Sequence, residues 1–282
     1  MLLGCARPCL LLLTVAACSD RDGSPPPGAG PHARLAAPPG DPASWPTRRP
    51  EALPLEGRAP GEPVRVYLDA GHGAPDNAGN LSCYCRLEED FTASLADDVA
   101  LELEATGRFA VVPSRVAGEI VGYAERVAAA EMTGAEAFVS LHSDVRGRTE
   151  SWSPFPGASC PQSLEAPGFG VFYSDEGAPE LALRRRALAL AVAEAMRAAG
   201  FLPYGGADYG ADYLGPTPGD GVFVDRHELD KRIYVLRAPE MPAVLVETHN
   251  AHDPREAVAW DEPAVRRAFA LALGHGLERA LR

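Results

Sequence analysis

Ala243-Val244-Leu245-Val246 is an unbroken run of small and branched apolar residues that ends at Glu247 and continues as Thr248-His249-Asn250. A run without polar alternation reads as a strand buried on both faces, the pattern of an inner parallel strand. Two further runs end in the same manner. Val64-Arg65-Val66-Tyr67-Leu68 leads into Asp69-Ala70-Gly71-His72-Gly73, and Ala137-Phe138-Val139-Ser140-Leu141 leads into His142-Ser143-Asp144. In open α/β sheets, ligands sit outside the carboxyl ends of the strands. The pattern therefore brings His72, His142 and Glu247 to one sheet edge.

Between these strands the chain alternates helix and strand. A polar loop over residues 73–86 precedes a helix from Glu88 to Ala105, whose apolar stripe Phe91, Leu95, Val99 and Leu103 has the spacing of one helical face. Glu88 projects from that same inward face, where a carboxylate is costly unless it is paired or holds a metal. Glu89 and Asp90 read as solvated charges that suit the helix N-terminus. A short strand at 109–113, an Ala-rich helix at 119–133, a strand at 170–173 and a helix at 179–199 follow. The chain then gives a loop over 204–220, a strand over 233–236 and a last helix at 263–281. Residues 145–169 have no period and read as an insertion loop beside the active edge. The expected fold class is α/β: a single three-layer domain, a mostly parallel twisted sheet flanked by helices on both faces.

The folded domain is expected over residues 64–282. Residues 19–63, rich in Pro, Gly, Ala and Arg, read as a disordered tether. Residues 1–18 read as a targeting segment, with an apolar stretch after Arg7 and the sequence Val15-Ala16-Ala17-Cys18, which resembles a lipoprotein lipobox with Cys18 as the lipidated residue. The competing reading is an ordinary signal peptide cut near Ala17. Lipidation with Ser19 following implies an exported cell-envelope protein at the periplasmic face of the outer membrane, held to the membrane by its N-terminal anchor. No later run approaches the roughly 20 apolar residues needed to span a bilayer. A net charge of −13 argues against nucleic acid as a partner.

Of six cysteines, Cys5, Cys9 and Cys18 fall in the targeting segment, leaving Cys83, Cys85 and Cys160 in the exported chain. An exported protein can close one bridge from three, so Cys160 is expected to pair with Cys83 or Cys85.

Two imidazoles and one carboxylate form a suitable set for a catalytic zinc, with the fourth position left to water. His72, Glu88 and His142 supply that set, and Glu247 supplies a carboxylate able to move a proton. His249 either points into the cleft and touches substrate or caps the next turn. His227, His252 and His275 read as surface or packing residues.

These features together resemble a known family. Asp69-Ala-Gly-His-Gly73, Glu88 with Asp90 behind it, Ser140-Leu-His142, Tyr234-Val-Leu-Arg237 and Met241-Pro-Ala-Val-Leu-Val-Glu247 are similar to the zinc-dependent N-acetylmuramoyl-L-alanine amidases of the Amidase_3 type, in the family's order. The resemblance implies one zinc ion on His72, Glu88 and His142, with Glu247 as the catalytic glutamate. It also implies cleavage of the amide between the lactyl group of N-acetylmuramic acid and L-alanine, in cell-wall remodelling or daughter-cell separation. Peptidoglycan is the expected substrate, contacted by His249, Asp144 and Arg237. The expected state is a monomer, with an activator protein as a candidate partner. Thr92 departs from the family's usual Asn, and Thr248-His249-Asn250 from its Gly-Phe type continuation. The alternatives are an idle amidase-like peptidoglycan-binding lipoprotein and a zinc hydrolase of the same fold acting on another peptide.

Overall fold

The computed structural model describes residues 49–57, 61–215 and 220–282. The targeting segment, Cys18 and most of the tether lie outside the described residues.

The chain runs β1 (Val64–Ala70), α1 (Glu88–Ala105), β2 (Phe109–Pro113), α2 (Tyr123–Met132) and β3 (Ala137–Asp144). It continues through β4 (Glu150–Trp152), β5 (Cys160–Gln162), β6 (Gly170–Tyr173), α3 (Pro179–Ala198), β7 (Tyr213–Leu214) and β8 (Val222–Asp225). The last elements are α4 (Tyr234–Arg237), β9 (Ala243–Asn250), α5 (Pro254–Trp260) and α6 (Pro263–Leu281). Seven strands form one sheet in the order β2-β1-β3-β9-β6-β8-β7. Neighbours are parallel except at β9–β6 and β8–β7.

The three apolar runs become adjacent inner strands, β1, β3 and β9, with their carboxyl ends level. Side chains alternate across a sheet, so each strand feeds two layers. Val66, Leu68, Val139, Leu141, Val244 and Val246 pack under α1, α3 and α6. Tyr67, Phe138 and Ala243 face the other way, toward α2 and α4. Asp69, Ser140, His142 and Glu247 share that second face. The helical stripe Phe91, Leu95, Val99 and Leu103 is buried as its spacing requires. α1 therefore delivers its first residue, Glu88, to the strand ends.

Four local readings change. Residues 233–236 form no strand: Tyr234–Arg237 is a single helical turn. Asp225 accepts the Ile233 N–H at 2.7 Å, and Pro239 lies just beyond the turn. Val235 and Leu236 are buried in two adjoining apolar clusters, while Tyr234 and Arg237, at either end of the turn, are exposed. The outer strand comes from Val222–Asp225 instead. The period-free stretch 145–169 contains the antiparallel pair β4–β5. Ahead of Val64, residues 49–57 lie against the domain: Leu53 and Leu55 pack on the main core, and Arg108 Nη2 donates to Glu56 O and Gly57 O at 2.7 Å each.

Candidate metal centre

His72, Glu88 and His142 each offer one ligand atom, and the three atoms lie within 4.8 Å of one another. Each arrives by a different device. His72 follows β1 in the left-handed region, φ 59°, which a non-glycine residue adopts only where its surroundings enforce it. Here Arg126 holds the His72 carbonyl, and His72 Nδ1 donates to Asn77 Oδ1 at 2.8 Å. That bond fixes the tautomer and leaves Nε2 facing Glu88 Oε2 at 3.0 Å. Glu88 opens α1, and His142 sits in β3 with Nδ1 at 3.2 Å from Glu88 Oε1. Gly71 makes room for the second imidazole, because a Cβ there would lie 2.3 Å from His142 Nε2.

Glu88 is nearly fully buried, yet both of its oxygens are held. Asn80 donates to Oε2 from Nδ2 at 2.7 Å and from its backbone at 3.0 Å, and Ser143 N donates to Oε1 at 2.9 Å. Burial opposes the Glu88 charge, but the two imidazoles outweigh it and hold its pKa well below the carboxylate range. Burial likewise opposes charge on His72, and Glu88 overcomes it, raising the His72 pKa. A group of one anionic and two imidazole donors, converging and pre-oriented, is the donor chemistry that zinc takes.

Glu247 pairs with His142 across the β3–β9 ladder. Among the described residues its Oε2 is buried with no hydrogen-bond partner. Burial first, then the charges of Asp144 and Glu88, push its pKa well above the usual carboxylate range, against the pull of Arg146. A carboxylate left unpaired in such a place is poised to take a proton.

Asp144 also belongs to this edge. Tyr209 OH donates to its Oδ2 at 2.5 Å and Arg146 Nε stands 3.4 Å from the same oxygen. Burial raises the Asp144 pKa in spite of both.

His249 does not reach the cleft. The register advances two residues in β3 (His142 to Asp144) while β9 advances three (Glu247 to Asn250), a bulge that reverses the side-chain phase. His249 is consequently buried on the opposite face, between Phe91 (5.0 Å) and Trp260 (5.6 Å), with Nδ1 2.9 Å from Thr248 Oγ1. Arg237 is exposed on α4, its guanidinium 5.4 Å from the Tyr234 ring centre. Cys85 is bonded to Cys160, and Cys83 is a buried free thiol whose N–H binds Ala251 O at 2.9 Å. The bridge ties the β4–β5 hairpin to the loop that runs into Glu88. Thr92 Oγ1 donates to Gly71 O at 2.6 Å, fastening α1 to the turn that carries His72.

Asn77, Asn80 and Tyr209 are participants that sequence reasoning passed over. Ser140 enters it only within the Ser140-Leu-His142 motif, although its place two residues before His142 puts it on the same strand face.

The fold and this edge define a hydrolase of the three-layer α/β type. The sequence model of the N-acetylmuramoyl-L-alanine amidases (Amidase_3) matches residues 66–279, and the chain belongs to that family. Among solved structures, the fold matches the amidase Ami1 of Mycobacterium smegmatis at TM-score 0.60 and 24% identity, covering 78% of this chain and 97% of that one. The amidase AmiC2 of Nostoc punctiforme matches at TM-score 0.54 and 24% identity, with 76% and 95% covered. The CwlD amidase of Clostridioides difficile, solved in complex with the GerS lipoprotein, matches at TM-score 0.52 and 17% identity, with 77% and 98% covered. No curated protein sequence gives a significant match.

Proposed function

We propose that this chain is a zinc-dependent peptidoglycan amidase that cuts between the lactyl group of N-acetylmuramic acid and L-alanine. The observation that carries the reading is Glu247, whose Oε2 has no partner among the described residues and whose pKa is raised, beside the convergent His72–Glu88–His142 group. His72 through Nε2, Glu88, and His142 through Nδ1 would hold the ion. When bound, zinc polarises a carbonyl and makes water a better nucleophile near neutral pH. Glu247 takes the proton of the attacking water and passes it to the departing L-alanine amine. Asn77 and Asn80 keep His72 and Glu88 in place while this happens. A binding module would have no use for the unpaired Glu247, which speaks against the idle-protein reading. Digestion of muropeptides followed by mass analysis, with zinc and with chelator, tests the proposal. Release of intact stem peptides beginning at L-alanine, lost on chelation, is the expected result. Products cut within the stem would point to a different peptide bond.

The setting we infer is the cell envelope, in cell-wall remodelling or daughter-cell separation. Export and lipidation at Cys18 rest on Val15-Ala16-Ala17-Cys18. Among the described residues no helix is long and apolar enough to cross a membrane. The GerS complex of the Clostridioides amidase supports an accessory protein as a partner class. A monomeric catalytic domain suits this role.

A further inference from the structure

His142 is gripped at both ring nitrogens. Nδ1 faces Glu88, and Nε2 lies 3.1 Å from Ser140 Oγ. Ser140 Oγ is 2.6 Å from Asp69 Oδ2, and Asp69 Oδ1 accepts from Arg126 Nη1 at 2.9 Å. Asp69, Ser140 and Arg126 are completely buried, each 0% exposed. The sheet places them: Asp69 and Ser140 are register partners across β1 and β3, and Ser140 and His142 are alternate residues on one strand face.

The proton directions along this line follow from the donor inventory. A guanidinium only donates, and the carboxylate beside it only accepts. The single hydroxyl proton of Ser140 therefore goes to Asp69. Toward His142, Ser140 can act only as an acceptor, so Nε2 must carry a proton. The nitrogen left to bind a metal is Nδ1, the one that faces Glu88.

We propose that Asp69 and Ser140 are positioning residues that commit His142 to presenting Nδ1 to the metal, with Arg126 fixing the direction of the line. The inference rests on the reading of His142 as a metal ligand. It assigns a role in metal retention to a buried ion pair that would otherwise pass as structural. Partners that orient a ligating histidine in this way typically change metal affinity by about 10- to 100-fold when removed.

Two substitutions test it from opposite sides. Ser140→Ala removes the acceptor of the Nε2 proton. Asp69→Asn keeps the shape but reverses the line: Oδ1 must still accept from Arg126, so the amide NH₂ faces Ser140. The Ser140 proton is then driven at His142, and two donors meet head to head once Nδ1 is committed to zinc. Zinc affinity by chelator competition should fall about 10- to 100-fold in both variants. The low-field proton resonance of His142 Nε2–H, present in the zinc-loaded wild type, should be lost to solvent exchange in Ser140→Ala. Val139→Ala, on the other sheet face and also fully buried, should lose stability but keep wild-type zinc affinity. Should Asp69→Asn fail to fold, Ser140→Ala decides alone. Wild-type zinc affinity in Ser140→Ala, with the resonance intact, overturns the proposal. A wild-type protein that binds no zinc would instead overturn the reading of the site itself.

Discussion

Glu247 stands directly across the β3–β9 ladder from His142, and its Oε2 is buried without a partner among the described residues. The imidazole is fixed at both nitrogens, whereas this carboxylate oxygen is left free of any hydrogen bond from them. This contrast separates ligand from base. Glu247→Gln keeps the shape and removes the base, so kcat should fall about 10²- to 10⁴-fold while zinc content is unchanged. Its folded pKa lies above the 4.5 of free Glu, so the stabilisation from holding a proton is full below that value and fades as pH rises through the raised pKa. At pH 8 the variant should therefore melt at the wild-type temperature or higher. Loss of zinc in Glu247→Gln would place this residue among the ligands and displace Glu88.

A pH dependence of the opposite sign is expected from His249. Burial, aided by the charges of Arg146 and Arg266, lowers its pKa from 6.5 to about 3. Between those values the unfolded chain takes up a proton that the folded chain refuses. Its contribution is present above pH 6.5 and is lost as pH falls, at up to about 1.4 kcal/mol per pH unit. Replacing it with Phe, of similar shape between Phe91 and Trp260, should flatten the fall in urea midpoint between pH 6.5 and 4. An unchanged slope would mean that His249 titrates normally.

The Cys85–Cys160 bridge closes a span of 75 residues. In the chain-entropy account such a loop stabilises by about 4 kcal/mol, with native-state strain subtracting from it. Non-reducing peptide mapping should recover the Cys85–Cys160 peptide, with Cys83 alkylated only after unfolding. Cys83→Ser should leave the map intact, whereas Cys160→Ser should lower the urea midpoint. A recovered Cys83–Cys160 peptide refutes the pairing.

Much of this site is readable from residue order alone, for an identifiable reason. Runs such as Val64–Leu68 and Ala243–Val246 form inner strands because nearly all of their side chains are apolar, Arg65 alone being exposed near the start of β1, and the residue that ends each run falls at the sheet edge. Glu88 is legible because helical spacing puts it above Phe91 and Leu95. Period arguments stop where the period changes. The bulge after Glu247 turns His249 from the cleft into the core, and it leaves no composition signal in Thr-His-Asn. Residues 233–236 mislead because four apolar residues in a row describe one half-buried turn as well as a strand. The partners Asn77 and Asn80 lie in a polar loop where any side chain could be solvated, and only the folded loop shows them bonded to His72 and Glu88.

Anchoring is tested away from the catalytic domain. A lipid chain contributes about 0.8 kcal/mol per buried CH₂, and a lipoprotein carries more than one chain. Cys18→Ala should move the protein from the membrane fraction to the soluble fraction with its amidase activity intact. Retention on membranes washed with high salt would reject lipidation at Cys18.

Two glycines distinguish steric from conformational demands near the site. Gly71 has no left-handed backbone, yet an added Cβ would sit 2.3 Å from His142 Nε2 and 2.4 Å from the Leu141 carbonyl. The carbonyl belongs to an inner strand and cannot yield, so the imidazole must. Gly107, just past α1, is the converse: φ is 67°, but no described residue lies within 4 Å of its added Cβ. Gly107→Ala should destabilise by about 1–2 kcal/mol through the left-handed backbone alone and keep its zinc. Gly71→Ala should lose stability by about 1–3 kcal/mol through overpacking and lose zinc as well, because the His142 ring is pushed off both Ser140 and the metal position. Parallel zinc titrations and urea melts of the two variants separate these effects. Equal zinc affinity in both would show that the Gly71 contact relaxes without moving His142.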